Sequence, residues 1–70
     1  MSGWLALPES KRELYSELLT PPQLDMVRHR TNGHSWRRIA MAVNLDESTC
    51  RGHYRRALER IRKHMTTEAA

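Results

Sequence analysis

The residues of this sequence that are best suited to chemistry are arginines, and they are concentrated in its second half. Residues 26–70 contain ten lysines and arginines, nine of them arginine, against four acidic residues, whereas residues 1–25 have a net charge of −2. The planar guanidinium of arginine binds phosphate groups and the edge of guanine through paired hydrogen bonds. A basic half on a small domain is typical of polyanion-binding proteins, although a basic surface that is only solvated gives the same count.

The spacing of these arginines places several of them on one face of a predicted helix over residues 47–64. Apolar residues recur there at helical intervals and predict an inward stripe against Val27, Trp36 and Ile39. That stripe consists of Cys50, Tyr54, Ala57, Leu58, Ile61 and Met65. The opposite face consists of Ser48, Arg51, Gly52, Arg55, Arg56 and Arg62. Arg51 and Arg55 lie one turn apart near the helix start, so either side chain can make a bidentate contact to guanine.

Gly52 is an unusual residue for the middle of this helix. It costs about 1 kcal/mol of helix stability relative to alanine. One interpretation is that the missing side chain lets the helix approach a binding partner closely. The other is that tertiary packing holds the helix and tolerates the glycine.

Capping signals predict where the first two helices begin. Ser10 and Glu13 have the spacing of a capping box and predict a helix that starts after Ser10. Thr20 and Gln23 repeat this spacing, with Pro21 at the first helical position, where its missing N–H is not needed. No sustained alternation of apolar and polar residues predicts a strand.

A second set of signals predicts a short helix, a tight turn and a longer helix. Gly33 ends the second helix with a left-handed cap, and Ser35 caps the third. Asn44 tolerates the positive φ of the turn, Leu45 is predicted to fill the corner between the helices, and Asp46 caps the fourth helix. The inward residues of the third helix are predicted to be Trp36, Ile39, Ala40 and Val43. This is the layout of a helix-turn-helix, which sets its second helix in the major groove of DNA.

Composition argues against most other classes of protein. Seventy residues form one domain at most, and no apolar run approaches the roughly 20 residues of a membrane span. Cys50 is the single cysteine, which suits a reducing cytoplasm. The four histidines and Cys50 lack zinc-ligand spacing, and no catalytic motif is present, so we expect no metal, no cofactor and no enzyme activity.

The segment from Gly33 to Arg62 resembles region 4 of sigma factors, which recognises the −35 promoter element. The likeness extends without gaps over about thirty residues, and residues 19–23 resemble the start of the preceding helix in that family. DNA-binding domains of response-regulator and quorum-sensing regulators share the same core. The residues that match the family pattern are Gly33, Ser35, Trp36, Ile39, Ala40, Leu45, Thr49, Arg56, Ala57 and Arg62. On its length, the chain is not expected to contain sigma region 2.

Together these observations predict an all-α, three- to four-helix helix-turn-helix domain that binds double-stranded DNA and regulates transcription, as a phage or bacterial protein of the cytoplasm or nucleoid. The predicted divisions are an N-terminal segment and helix at 1–19, the DNA-binding domain at 20–65 and a disordered tail at 66–70. The predicted DNA-binding residues are Arg37, Arg38, Ser48, Thr49, Arg51, Gly52, Arg55 and Arg56.

Two alternatives remain open at the level of sequence. The first is a protein-interaction module that mimics sigma region 4 and binds RNA polymerase or a sigma factor with little DNA contact. The second concerns Trp4, Leu5 and Leu7, which either fold back to enlarge the core or form an exposed patch for a protein partner or a homodimer.

Overall fold

The part of the chain that the computed structural model describes, residues 3–69, folds into a short 3₁₀ helix and four α-helices. The elements are the 3₁₀ helix at Trp4–Ala6, α1 (Glu9–Leu18), α2 (Pro21–Thr31), α3 (Trp36–Val43) and α4 (Glu47–Ala69). The predicted all-α fold is confirmed, and α3, residues 44–46 and α4 have the connectivity of a helix-turn-helix. None of these helices is both long enough and apolar enough to cross a membrane.

The beginning of α2 follows the prediction, whereas the beginning of α1 does not. Thr20 accepts a hydrogen bond from the backbone N–H of Gln23, and the Gln23 side chain accepts one from the Thr20 N–H at 3.2 Å. This reciprocal pair is the predicted capping box. The prediction for Ser10 is wrong, because α1 starts two residues earlier, at Glu9, and Pro8 is its N-cap without a side-chain hydrogen bond.

Gly33 ends α2 in a left-handed backbone conformation, with a φ of 81°. The N–H of Gly33 donates to the carbonyl oxygen of Arg30 at 3.0 Å, and the N–H of His34 donates to that of His29 at 3.1 Å. These two bonds form a Schellman motif, which satisfies carbonyl groups that the helix end would leave without partners. The motif turns the chain from α2 into α3 within four residues.

The turn between α3 and α4 also has the predicted caps. Ser35 accepts from the backbone N–H of Arg38 at 3.2 Å, and Asn44 has a φ of 57°, so both predicted roles are confirmed. The N–H of Leu45 donates to the carbonyl oxygen of Ala40 at 3.1 Å and closes the end of α3. The prediction that Leu45 fills the corner is wrong, because 40% of its surface remains exposed.

Two adjacent clusters of buried residues hold the helices together. The cluster at the 3₁₀ helix contains Trp4, Leu19, Val27 and Ala57. The cluster inside the helix-turn-helix contains Met26, Ile39 and Cys50, with Trp36, Ala40 and Val43 packed against it. Tyr54 packs against both clusters. Since α2 and α4 contribute to both clusters, these two helices form the centre of the fold.

The inward stripe of α4 is narrower than the sequence predicted. Leu58 and Met65 are 46% and 59% exposed, so their predicted burial is wrong. An α-helix has 3.6 residues per turn, so Leu58 and Met65 lie at the edge of the inward face whose centre is formed by Cys50 and Ala57. No other described helix covers that edge.

The fourth helix is also longer than predicted. It continues to Ala69, beyond the expected end at residue 64. Residues 66–69 are therefore helical and not a disordered tail, while residue 70 of that predicted tail lies outside the described residues. The helix continues because the sequence after Met65 contains neither glycine nor proline to end it.

The N-terminal segment packs back onto the core. Trp4 is only 7% exposed, its backbone N–H donates to the Asn32 side-chain oxygen at 2.8 Å, and the centre of its ring lies 6.3 Å from that of Tyr15. Leu7 is partly buried against the same cluster, whereas Leu5 is 70% exposed. Of the two interpretations of this segment, enlargement of the core is therefore confirmed for Trp4 and Leu7.

Replacing Ile39 with alanine is expected to destabilise the domain strongly. Ile39 has no exposed surface and lies between α2 and α4, so Ile39→Ala should lower the free energy of unfolding by about 2–4 kcal/mol. The control Met41→Ala lies on the same helix but is 76% exposed, and it should change stability by less than about 0.5 kcal/mol. Thermal unfolding measures both effects. Equal melting temperatures for Ile39→Ala and the parent would contradict this helix packing.

Candidate nucleic-acid interface

Exposed arginines without acidic partners lie on both helices of the helix-turn-helix. Arg37 and Arg38 lie in the first turn of α3, and Arg55 and Arg56 lie in the middle of α4; all four are exposed. Among residues 3–67, whose side chains the structure describes, an ion pair joins Arg51 to Glu47, and none joins these four arginines to an acidic residue. The positive charge of these four arginines is therefore not neutralised within the fold, which favours binding of an anionic surface.

The start of α4 is built around the carboxylate of Asp46. It accepts hydrogen bonds from the Thr49 N–H at 3.2 Å, the Ser48 hydroxyl at 2.8 Å and the Thr49 hydroxyl at 2.5 Å. These bonds confirm Asp46 as the N-cap. The bond from the Thr49 hydroxyl, then that from Ser48 and then the Thr49 N–H lower the pKa of Asp46 from 3.8 to about 2. Both predicted hydroxyl contacts for DNA therefore also serve the cap.

Arg51 takes part in a cluster of cations around Trp36. Its guanidinium lies 3.4 Å from the Glu47 carboxylate and 5.7 Å from the centre of the Trp36 ring. The guanidinium of Arg30 lies 4.7 Å from the centre of the same ring. The rings of Trp36 and Tyr54 pack edge to face, with their centres 5.4 Å apart. Trp36, predicted as an inward residue, is thus half-buried and contacts cations at the corner where α2, α3 and α4 meet. No local sequence pattern indicates this cluster.

The outward face of α4 is open at Gly52. A β-carbon built at this position would meet no atom within 4 Å, and Gly52 does not have a positive φ. The described structure therefore contains no packing or backbone requirement for glycine here. Ser48, Arg51 and Arg55 surround Gly52 on this face at helical spacing. The backbone of α4 can approach a binding surface most closely at this point.

Arg56, one turn beyond Gly52 on α4, also borders a second surface feature. It lies on a flank of the helix and lines a groove together with Gln23, Glu59, Arg60 and Lys63. Sequence analysis did not identify this groove, because α2 and α4 form it together and Gln23 is far in the chain from the other residues that line it. Its only local signal is the spacing of three basic residues at 56, 60 and 63 on α4.

A histidine pair lies at the corner between α2 and α3. The Nδ1 atoms of His29 and His34 are 3.0 Å apart, and Arg30 donates to the carbonyl oxygen of His34 at 2.8 Å. Partial burial, then the charge of Arg38 and then that of His29 lower the pKa of His34. Among the side chains described, residues 3–67, no group of three potential metal ligands lies together. The contacts of His29 and Arg30 with His34 join the end of α2 to the segment before α3.

No protein-family model, curated protein or solved structure matches this chain. The resemblance to sigma-factor region 4 therefore has no support beyond its own motif residues.

The Asp46 cap is expected to make stability depend on acid pH. The pKa of Asp46 is lower in the fold than its ordinary 3.8, so the stability it contributes is complete above about pH 4. It is lost as the pH falls through about 2, where the carboxylate is protonated. Asp46→Asn does not titrate, so its melting temperature should fall less between pH 4 and 2 than that of the parent. The exposed Asp25→Asn variant is the control and should follow the parent. If the melting temperature of Asp46→Asn falls as much as that of the parent, other carboxylates cause the loss of stability at acid pH.

Proposed function

We propose that this chain binds double-stranded DNA through its helix-turn-helix and regulates transcription in the cytoplasm of a bacterial host. The observation that supports this most directly is the row of exposed arginines, without acidic partners, beside an open helix face at Gly52. A surface of this kind attracts the phosphate backbone and leaves room for the helix in a major groove. The resemblance to sigma-factor region 4 agrees with the proposal.

In the proposed complex, the first three turns of α4 lie in the major groove. Ser48, Arg51 and Gly52 face the base edges, because residues near the start of a recognition helix reach them. Arg37 and Arg38 of α3 contact phosphates, which fix the position of the domain on the duplex.

Arg51 needs to leave its present contacts before it can read a base. Its ion pair with Glu47 joins two exposed side chains four residues apart. Such pairs stabilise helices by only about 0.3–0.5 kcal/mol, so a bidentate contact to guanine, at about 1–3 kcal/mol, can replace it. Glu47 therefore limits the affinity of the proposed site without preventing binding.

A second candidate function is contact with a protein, either RNA polymerase or a sigma factor. It is supported by the exposed Leu58 and Met65 on α4, which leave an apolar edge beside the basic face. Isolated exposed apolar residues are common on protein surfaces, so this observation is weaker than the arrangement of arginines. Salt-dependent binding of DNA by the purified chain distinguishes the two functions.

The four exposed arginines are expected to contribute to DNA affinity without selecting a sequence. Each of Arg37→Ala, Arg38→Ala, Arg55→Ala and Arg56→Ala should weaken binding to specific and random duplexes alike. Each should also reduce the slope of log K against log salt by about 0.9, because one phosphate contact is lost. Fluorescence anisotropy at several salt concentrations measures the slope, with Lys11→Ala on α1 as the control. An unchanged slope in the quadruple variant would exclude this face as the DNA-binding surface.

Replacing Gly52 with alanine is expected to separate stability from binding. Since a β-carbon at this position meets nothing, Gly52→Ala should stabilise the free protein by about 1 kcal/mol. The same methyl group should weaken DNA binding, because it lies where the backbone approaches the duplex. Ser16→Ala on α1 is the control, with an unchanged affinity. A Gly52→Ala variant that gains stability and keeps its affinity would place the closest approach to DNA elsewhere.

A further inference from the structure

A second positively charged feature lies further along α4, beyond Gly52. It is a groove of about 280 Å³ between the start of α2 and the second half of α4. Its walls are formed by Gln23, Arg56, Glu59, Arg60 and Lys63. Arg56, Arg60 and Lys63 follow one another at intervals of four and three residues, so they share one flank of the helix over about 10 Å. With Glu59 as its one acidic residue, the groove has a net charge of +2.

Arg60 is already held in position in this groove. Its Nε–H donates to the carbonyl oxygen of Leu18 at 2.6 Å, which joins α4 to the end of α1 across 42 residues of sequence. This bond uses only the Nε atom, so both terminal nitrogens of the guanidinium are left to donate elsewhere. An arginine whose side chain is ordered before binding loses less conformational entropy when it binds a ligand.

Gln23 adds a neutral donor to the same groove. Its side-chain oxygen accepts from the N–H of Thr20 in the capping box, and this bond fixes the orientation of the amide. The amide nitrogen therefore turns away from the cap as a donor of two hydrogen bonds. The positive end of the α2 dipole lies at the same residues and adds to the field of the three cations.

We propose that this groove binds a phosphate group. Apart from Glu59, its polar side chains are hydrogen-bond donors, and phosphate is a ligand with acceptor oxygens and negative charge. The phosphate belongs either to the backbone of the DNA, in which case the inference rests on the proposed function, or to a free phosphorylated molecule. The groove would bind a phosphate of the DNA backbone and a phosphate of a free molecule through the same side chains. The experiment below therefore has one measurement for each of these two ligands.

Lys63→Gln tests the groove against a matched control. It removes one charge from the groove and keeps Arg60 with its bond to Leu18, while Lys11→Gln makes the same change on α1. Both lysines are exposed, so both variants are expected to melt like the parent. The first measurement is the salt dependence of duplex DNA binding. The second is a titration with inorganic pyrophosphate, followed by the NMR signals of the Arg60 Nε–H and the Gln23 side-chain amide.

If the phosphate belongs to DNA, Lys63→Gln lowers DNA affinity several-fold and reduces the salt slope by about 0.9, whereas Lys11→Gln changes neither. If it belongs to a free molecule, the two variants bind DNA equally. Pyrophosphate then shifts the Arg60 and Gln23 signals in Lys11→Gln, and several-fold less in Lys63→Gln. Either result supports the groove.

The proposal is overturned if the two lysine variants behave alike in both measurements. It is also overturned if pyrophosphate shifts the signals of Arg37 and Arg38 as strongly as those of the groove, because the anion then binds wherever charge is exposed. A parent chain that binds no duplex DNA at any salt concentration would refute the proposed function. The pyrophosphate titration would still decide whether the groove binds phosphate.

Discussion

The arrangement of α2, α3 and α4 depends on the contact of three fully buried side chains, Met26 of α2, Ile39 of α3 and Cys50 of α4. Burial and then the nearby carboxylates of Asp46 and Glu47 raise the pKa of the Cys50 thiol, so the thiol remains neutral. As a small neutral side chain, Cys50 lets the helices approach closely. A helix has 3.6 residues per turn, so fixing Cys50 inward also fixes which residues of α4 face outward. The direction of the arginines is thus a consequence of the core.

Around this core, Trp36 connects the packing to the charged surface. One side of the residue packs against the buried cluster, and its ring also contacts the guanidinium groups of Arg30 and Arg51. Such contacts let a domain of this size place cations side by side, because an aromatic ring offsets part of their mutual repulsion. The acidic residues Glu9, Glu13 and Glu17 lie exposed on α1, outside the helix-turn-helix.

Much of the fold could be predicted from the sequence, because its boundaries depend on local interactions. The caps formed by Thr20, Ser35 and Asp46 each join residues three apart, and the backbone at Gly33 and Asn44 follows from what those residues tolerate. The outward face of α4 also follows from spacing alone. Among the helix starts, only that of α1 was predicted wrongly from local signals. The N-cap of α1 is Pro8 and not the predicted Ser10.

By itself, then, the sequence determined four helices, the N-caps of the last three and the side of α4 on which the arginines lie, since each of these depends on neighbours within a few residues. Only the tertiary structure decided that Leu58 and Met65 remain exposed, because that depends on which helices cover the edges of α4. It also decided that Arg51 contacts Trp36 and that Arg60 reaches Leu18. These contacts join residues 15 and 42 positions apart, and no local pattern encodes the packing that brings them together.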